Sequence, residues 1–238
     1  MNKPPSILFV GHSHVVCIAA AVRKTGVTDV GVINLLEIPG KAKLTTQKLA
    51  EQIMHMSPIR RPDALCLCMN GNDHNAYGVT ENPIPFSLGD REKGCIPEIG
   101  EERQFIPYRV MRDIFEKPRM RRLVKHVFDA FPQAARYWLC PPPPICDWAY
   151  ITSNPIVFSD MIQFGPAPES LKKQLYRIQC DVLRDMALEG RATFIEPDSR
   201  LVEDGFLRPQ YCADPTHGNS LYGEVMLSAV RERAGAFA

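Results

Sequence analysis

Residues 6–17, SILFVGHSHVVC, constrain this chain more than any other stretch. Residues 7–10 are four consecutive apolar side chains, the signature of a short buried strand. Gly11 interrupts the run, and the apolar, alanine-rich residues 15–22 read as a helix. Ser13 therefore falls on a tight strand-to-helix turn. Its hydroxyl is expected beside the free N–H groups of a helix N-terminus, where developing negative charge is favoured. A serine placed there becomes a nucleophile only if a base and anion donors reach it from elsewhere in the chain.

The same alternation continues downstream. Residues 28–38 are a second apolar run, closed by Pro39-Gly40. Residues 41–56 carry helical spacing through Leu44, Leu49, Ile53 and Met54, and Ser57-Pro58 stops them. ALCLCM, residues 64–69, is a third buried strand that runs into NGNDHN. Residues 134–140 are a fourth strand, with four prolines forcing an extended exit, and residues 192–195 are a short fifth. Helical spacing marks residues 105–131, broken at Pro118, then residues 169–188, ended by Gly190, and residues 219–234. Short apolar strands alternating with helices predict an α/β fold: a parallel sheet with helices on its faces. In such sheets ligands collect at the carboxyl ends of the strands, where Ser13, Gly40 and Asn72 all fall.

The chain of 238 residues, 45% hydrophobic, shows no repeat, low-complexity tract or linker, and so fits a single domain spanning 1–238. Two segments depart from the alternation. Residues 75–102 are rich in Pro and Gly, and residues 141–168 hold Trp148, Tyr150, Phe158 and Phe164. Both are expected to be loop insertions at the rim of a pocket.

Charge excludes some partners. With 28 basic and 27 acidic residues the net charge is +1, without the basic excess of an electrostatic nucleic-acid binder. Four basic residues, Arg119, Arg121, Arg122 and Lys125, lie close together on a helix and read as a solvated face. No apolar run approaches the roughly 20 residues of a membrane span. No apolar leader with a small-residue cleavage site opens the sequence, so a cytoplasmic protein without a membrane partner is expected. Five of the eight cysteines, Cys17, Cys66, Cys68, Cys140 and Cys180, lie in apolar segments and read as reduced core thiols. Cys66 and Cys68 share a strand face, but no second Cys/His pair stands at ligand spacing to complete a metal site.

Near the C-terminus stands ADPTHGN. Asp214 and His217 are three apart on a loop before the last helix. That spacing lets one imidazole nitrogen meet the carboxylate while the other faces outward. A base held this way can take a proton from Ser13 as the serine attacks a carbonyl carbon. The oxyanion then needs donors: Asn72 Nδ2, the Ser13 backbone N–H and a glycine N–H after the second strand would serve. Gly40 fits the last role, because a residue without Cβ lets the backbone approach a substrate closely.

Together, GHSH, the Pro39-Gly40 turn, GND and DPTH resemble the four blocks of the SGNH hydrolases, the GDSL esterase/lipase family. The resemblance implies a flavodoxin-like, three-layer α/β/α fold around a five-stranded parallel sheet. It implies a Ser13–His217–Asp214 triad, oxyanion donors at Ser13, Gly40 and Asn72, no metal or other cofactor, and ester or acetyl-ester substrates; an acetyl group on a carbohydrate is the expected substrate. Where that family usually has Asp before the nucleophile and Leu after it, this chain has His12 and His14, and Gly218 follows His217 where Pro is frequent. His14 and His74 are candidate substrate contacts. Asp73 reads as support for its loop.

The same residues admit other readings. Acyl transfer to a second hydroxyl would use the same triad. A glycan-binding relative without activity would keep the motifs but not turn over. The nucleophile elbow of α/β-hydrolases needs G-x-S-x-G, and position 15 is Val. GHSH and GNDH also resemble metallophosphoesterase signatures, which would require His12 and His14 to share a metal with Asp73, His74 or His217. Their order along this chain is reversed from that family's, and His and Asp are exchanged in the second.

Overall fold

The computed structural model describes residues 4–69, 71–89 and 103–235. In chain order its elements are β1 (Ile7–Gly11), α1 (Val15–Thr25), β2 (Val30–Asn34), α2 (Thr46–Met56), β3 (Ala64–Cys68) and α3 (Asp73–Gly78). There follow β4 (Phe86–Gly89), β5 (Gln104–Pro107), α4 (Tyr108–Phe115), α5 (Pro118–Ala130), β6 (Ala135–Leu139) and α6 (Trp148–Ser153). The chain closes with α7 (Glu169–Glu189), β7 (Thr193–Ile195) and α8 (Ser220–Gly235).

Five strands form one parallel sheet in the order β2-β1-β3-β6-β7. Alternate side chains of the strands enter opposite cores, as the two-residue period of a strand requires. Leu8, Val10, Leu65, Leu67 and Trp138 join one apolar cluster with residues of α2, α4, α5 and α7. Ile7, Phe9, Cys66, Tyr137 and Ile195 join a second with residues of α1 and α8. This is the three-layer α/β/α arrangement. Every residue of β1 is buried, so the strand before Ser13 is anchored on both faces. Deleting the fully buried Phe9 ring (Phe9→Ala) should cost about 3–5 kcal/mol.

The topology places a crevice beside Ser13. From β1 the chain moves to β2 on one side, whereas β3 lies on the other side and leads outward to β6. The loops after β1 and β3 therefore diverge at the switch point of the sheet. The last residue of β1 is glycine for a steric reason. A Cβ on Gly11 would stand 2.4 Å from the Cys68 carbonyl oxygen, where the two strands end side by side. His12 N–H then donates to that same carbonyl at 3.2 Å and turns the chain into α1.

Several sequence expectations need correction. The helix over 41–56 begins only at Thr46, where Thr45 Oγ1 accepts from Lys48 N–H as an N-cap; Lys41–Lys43 is a separate 3₁₀ turn. The segment 75–102 is not irregular throughout. It contains most of α3 and the strand β4, which pairs in parallel with β5; residues 90–102 lie outside the described residues. Residues 141–168 include α6 and two 3₁₀ turns. The helical region 105–131 opens as a strand and is split before Pro118 into α4 and α5. The basic run on α5 is partly engaged. Arg119 donates to the carbonyls of Lys41 and Leu44, holding the loop after β2 onto the helix, and Arg121 pairs with Glu116 and Glu189. Among the described residues no helix is long and apolar enough to cross a membrane.

Candidate active site

Asp214 and His217 lie on a short antiparallel ribbon, Cys212–Asp214 against His217–Gly218, immediately before α8. Sequence dictates its geometry locally. A carboxylate two or three residues ahead of free N–H groups captures them, and Asp214 Oδ1 accepts from Thr216 N–H at 2.8 Å and His217 N–H at 3.0 Å. The same carboxylate meets His217 Nδ1, at 2.8 Å through Oδ2. Thr216 Oγ1 lies 3.0 Å from Asp214 Oδ1 and 2.9 Å from His217 Nδ1. Burial alone would raise the Asp214 pKa. The bonds from His217 and Thr216 outweigh it and hold the carboxyl down at about 2. With Nδ1 committed to an anion, Nε2 is the nitrogen left for chemistry. It is shielded from solvent and has no hydrogen-bond partner among the described residues.

Ser13 occupies the turn between β1 and α1, half-buried, and its carbonyl accepts from Val16 N–H at 3.1 Å in the first turn of α1. Its own N–H and Oγ make no hydrogen bond among the described residues. Ser13 lines an open cleft together with His12, His14, Leu36, Gly71, Asn72, Asp73, Ala76 and Met120. Asn72, from the loop after β3, faces Ser13 across the switch point. Asn75 Nδ2 donates to Asn72 Oδ1 at 2.8 Å, which fixes the amide orientation and leaves Asn72 Nδ2 as a donor. Asp73 is ion-paired with Lys117 at the N-terminus of α5 and supports the loop from behind.

The structure does not bring every expected residue into that cleft. Gly40 adopts a left-handed conformation (φ 66°) and caps the Lys41–Lys43 turn, but it is exposed and does not line the cleft; Leu36 is the residue of that loop which does. His74 is 1% exposed and packs edge-on against Tyr176, with ring centroids 5.1 Å apart, so it faces the core and not a substrate. His14 is also buried, yet it reaches both halves of the site. It lines the cleft beside Ser13, and its ring centroid lies 5.0 Å from that of His217. Ser13 Oγ and His217 Nε2 are not hydrogen-bonded to each other.

Three histidines in this region, His12, His14 and His74, are held neutral. Burial, then the neighbouring His217 and His74, push His14 down to about 3, against an opposing pull from the Gly71 backbone. Burial likewise puts His74 at about 3, and burial with the Lys41 charge puts His12 at about 4. Among the described residues no three His, Cys, Asp or Glu side chains converge to hold a metal ion.

Two parts of the site escaped the sequence. Thr216 lies inside DPTH, and its hydroxyl three-way contact follows from the Asx turn that Asp214 begins. The cleft walls Leu36, Ala76 and Met120 come from three separate elements and leave no local signal.

No family model and no curated protein matches this sequence. Solved structures do share its shape. A Streptococcus pneumonia protein, provisionally described as a platelet activating factor, superposes with a TM-score of 0.53 at 13% identity, covering 98% of this chain and 85% of that one. The periplasmic domain of a lipopolysaccharide acetyltransferase from Salmonella Paratyphi A gives a TM-score of 0.50 at 9% identity, covering 98% and 84%. At these identities the likeness establishes the fold. It is a three-layer α/β/α fold around a five-stranded parallel sheet, the architecture expected from the sequence.

Proposed function

We propose that the protein is a serine esterase of the SGNH type, acting on short acyl esters such as O-acetyl groups carried by a carbohydrate. The observation that carries this reading is the Asp214–His217 pair. A carboxylate locked on Nδ1 fixes the tautomer, keeps the ring oriented and leaves a desolvated Nε2 without a partner. A buried imidazole nitrogen left unpaired is costly, and the partner it calls for is the hydroxyl of the nucleophile.

In this reading His217 Nε2 takes the Ser13 proton as Oγ attacks the acyl carbon. The contact closes in the substrate complex, since catalytic hydrogen bonds are often unmade in the free enzyme. Ser13 N–H and Asn72 Nδ2 receive the oxyanion, and Gly40 N–H is the third donor if the loop after β2 closes over the substrate. His217 then returns the proton to the leaving alcohol, and water, activated by the same imidazole, releases the acyl group from Ser13. The mixed walls of the cleft support a short acyl chain on a polar alcohol: Leu36, Ala76 and Met120 stand against His12, Asn72 and Asp73. Acyl transfer to another hydroxyl would use the same groups with a different acceptor, and the acetyltransferase domain noted above shares the fold.

The test is hydrolysis of p-nitrophenyl acetate by the wild type and by Ser13→Ala. Loss of turnover in a variant with unchanged circular dichroism is expected. Turnover that survives Ser13→Ala but vanishes with a chelator would establish the metal-dependent alternative. A wild type that hydrolyses no ester yet binds glycans would establish a binding protein.

A further inference from the structure

Two thiols that the proposed hydrolysis leaves idle lie sulfur to sulfur. Cys140 directly follows β6 and Cys180 sits in the middle of α7, and their Sγ atoms are 3.3 Å apart. Both side chains are buried. A disulfide holds its sulfurs at about 2.04 Å, so the pair needs to close by roughly 1.3 Å. Tyr176, one turn before Cys180 on α7, donates its hydroxyl proton to the Pro141 carbonyl at 2.9 Å. Its oxygen lies 3.0 Å from Cys140 Sγ and is left to accept the thiol proton.

A small cavity reaches Cys140. Lined also by His14, Cys17, Cys68, Gly71, Pro141 and Tyr222, it has about 10 Å³ of space, enough for one water-sized molecule; of its thiols, Cys140 is the one with the Cys180 sulfur against it at 3.3 Å. Hydrogen peroxide is of that order of size, whereas bulky oxidants are excluded. We infer that Cys140 and Cys180 are a disulfide-forming pair, oxidised by a small hydroperoxide, and that the bond staples α7 to the end of β6.

The chemistry balances with one molecule of hydroperoxide as the oxidant. One sulfur, on losing its proton, attacks a peroxide oxygen. The O–O bond breaks, and the departing hydroxide leaves with that proton as water. The sulfenic acid so formed is attacked by the second sulfur. The S–O bond breaks, the S–S bond forms, and a second water carries off the remaining thiol proton. The two sulfurs lose two electrons together and the peroxide gains them. Burial raises the Cys140 thiol well above the ordinary range, so little thiolate is present and the reaction is slow.

The experiment treats the reduced full-length protein with hydrogen peroxide, alkylates the remaining thiols and maps peptides by mass spectrometry. The expected product is a Cys140–Cys180 linked peptide, lighter by two hydrogens than its two parts and split by dithiothreitol. The oxidised protein should also melt at a higher temperature than the reduced one, because the bond closes a long loop of the unfolded chain. Cys180→Ala should abolish the link. Cys146→Ala, which removes an exposed thiol, should leave it intact and serves if Cys180→Ala fails to fold. A link between other cysteines, for example Cys17 and Cys68, would overturn the inference. So would Cys140 and Cys180 both remaining alkylatable on unfolding while Cys146 is oxidised.

Discussion

The ribbon that carries Asp214 and His217 and the cleft that carries Ser13 and Asn72 meet at one edge of the sheet, but they are finished to different degrees. On the ribbon the Asp214 carboxylate takes two backbone N–H groups, a hydroxyl and an imidazole, and His217 Nε2 alone of that ring's nitrogens has no partner among the described residues. In the cleft the Ser13 N–H and hydroxyl make no hydrogen bond among the described residues, and Asn72 Nδ2 is left as a donor. The difference fits the proposed division of labour. A base must be oriented before substrate arrives, whereas oxyanion donors are made to meet charge that exists only during reaction. His14 touches both halves: it lines the cleft, and its ring lies 5.0 Å from that of His217.

Substitutions on each side test that contrast, from the largest effect to the smallest. Asp214→Asn keeps the shape of the ribbon but no longer fixes the imidazole tautomer. A loss of about 10⁴ in kcat is expected, as in the serine-protease template; a loss under tenfold would show that the pair is not the catalytic base. Asn72→Ala removes one donor from the open side and should lower kcat by roughly 10² to 10³ with KM nearly unchanged. A twofold change would take Asn72 out of the oxyanion hole. Thr216→Val removes a single neutral hydroxyl from a carboxylate that keeps its other partners. The expected loss is about 2- to 12-fold in kcat, the equivalent of about 0.5–1.5 kcal/mol. A larger loss from Thr216→Val than from Asn72→Ala would invert the comparison.

The neutral histidines give a prediction in stability instead of rate. His14 and His74 titrate at about 3 in the folded protein against 6.5 unfolded, so the unfolded chain binds more protons between those values. Their contribution is complete above pH 6.5 and is lost as pH falls toward 3. Each costs about 1.4 kcal/mol per pH unit at full slope. Asp214, at about 2 against 3.8, adds a further loss only below about pH 4. Urea midpoints measured from pH 7 to pH 4.5 should fall steadily, and His74→Leu should flatten the slope. Midpoints independent of pH over that range would mean these rings are hydrated and not buried.

How much of this was legible in the sequence follows from how local each contact is. The DPTH motif was readable because the partners of Asp214 lie within three residues of it. The five strands were readable because each is a short, mostly apolar run bounded by turn residues. Gly40 was harder. Whether its N–H reaches Ser13 depends on two 3₁₀ turns and on Arg119 of α5 gripping the same loop, none of which alters the local pattern. His74 looked polar and available in GNDHN, yet α7 brings Tyr176 over it. The short helix α3 and the β4–β5 pairing were hidden too, the first by its six residues, the second because its partners are far apart in sequence.

Whether the Ser13 hydroxyl is activated by its surroundings can be read directly by mass spectrometry after exposure to a fluorophosphonate probe, which phosphonylates only a serine with a base and anion donors in place. Modification of Ser13 in the wild type, absent from His217→Ala and from Ser13→Ala, is the predicted result. An unmodified Ser13 in protein that remains folded, or labelling of Ser13 that persists without His217, would contradict it.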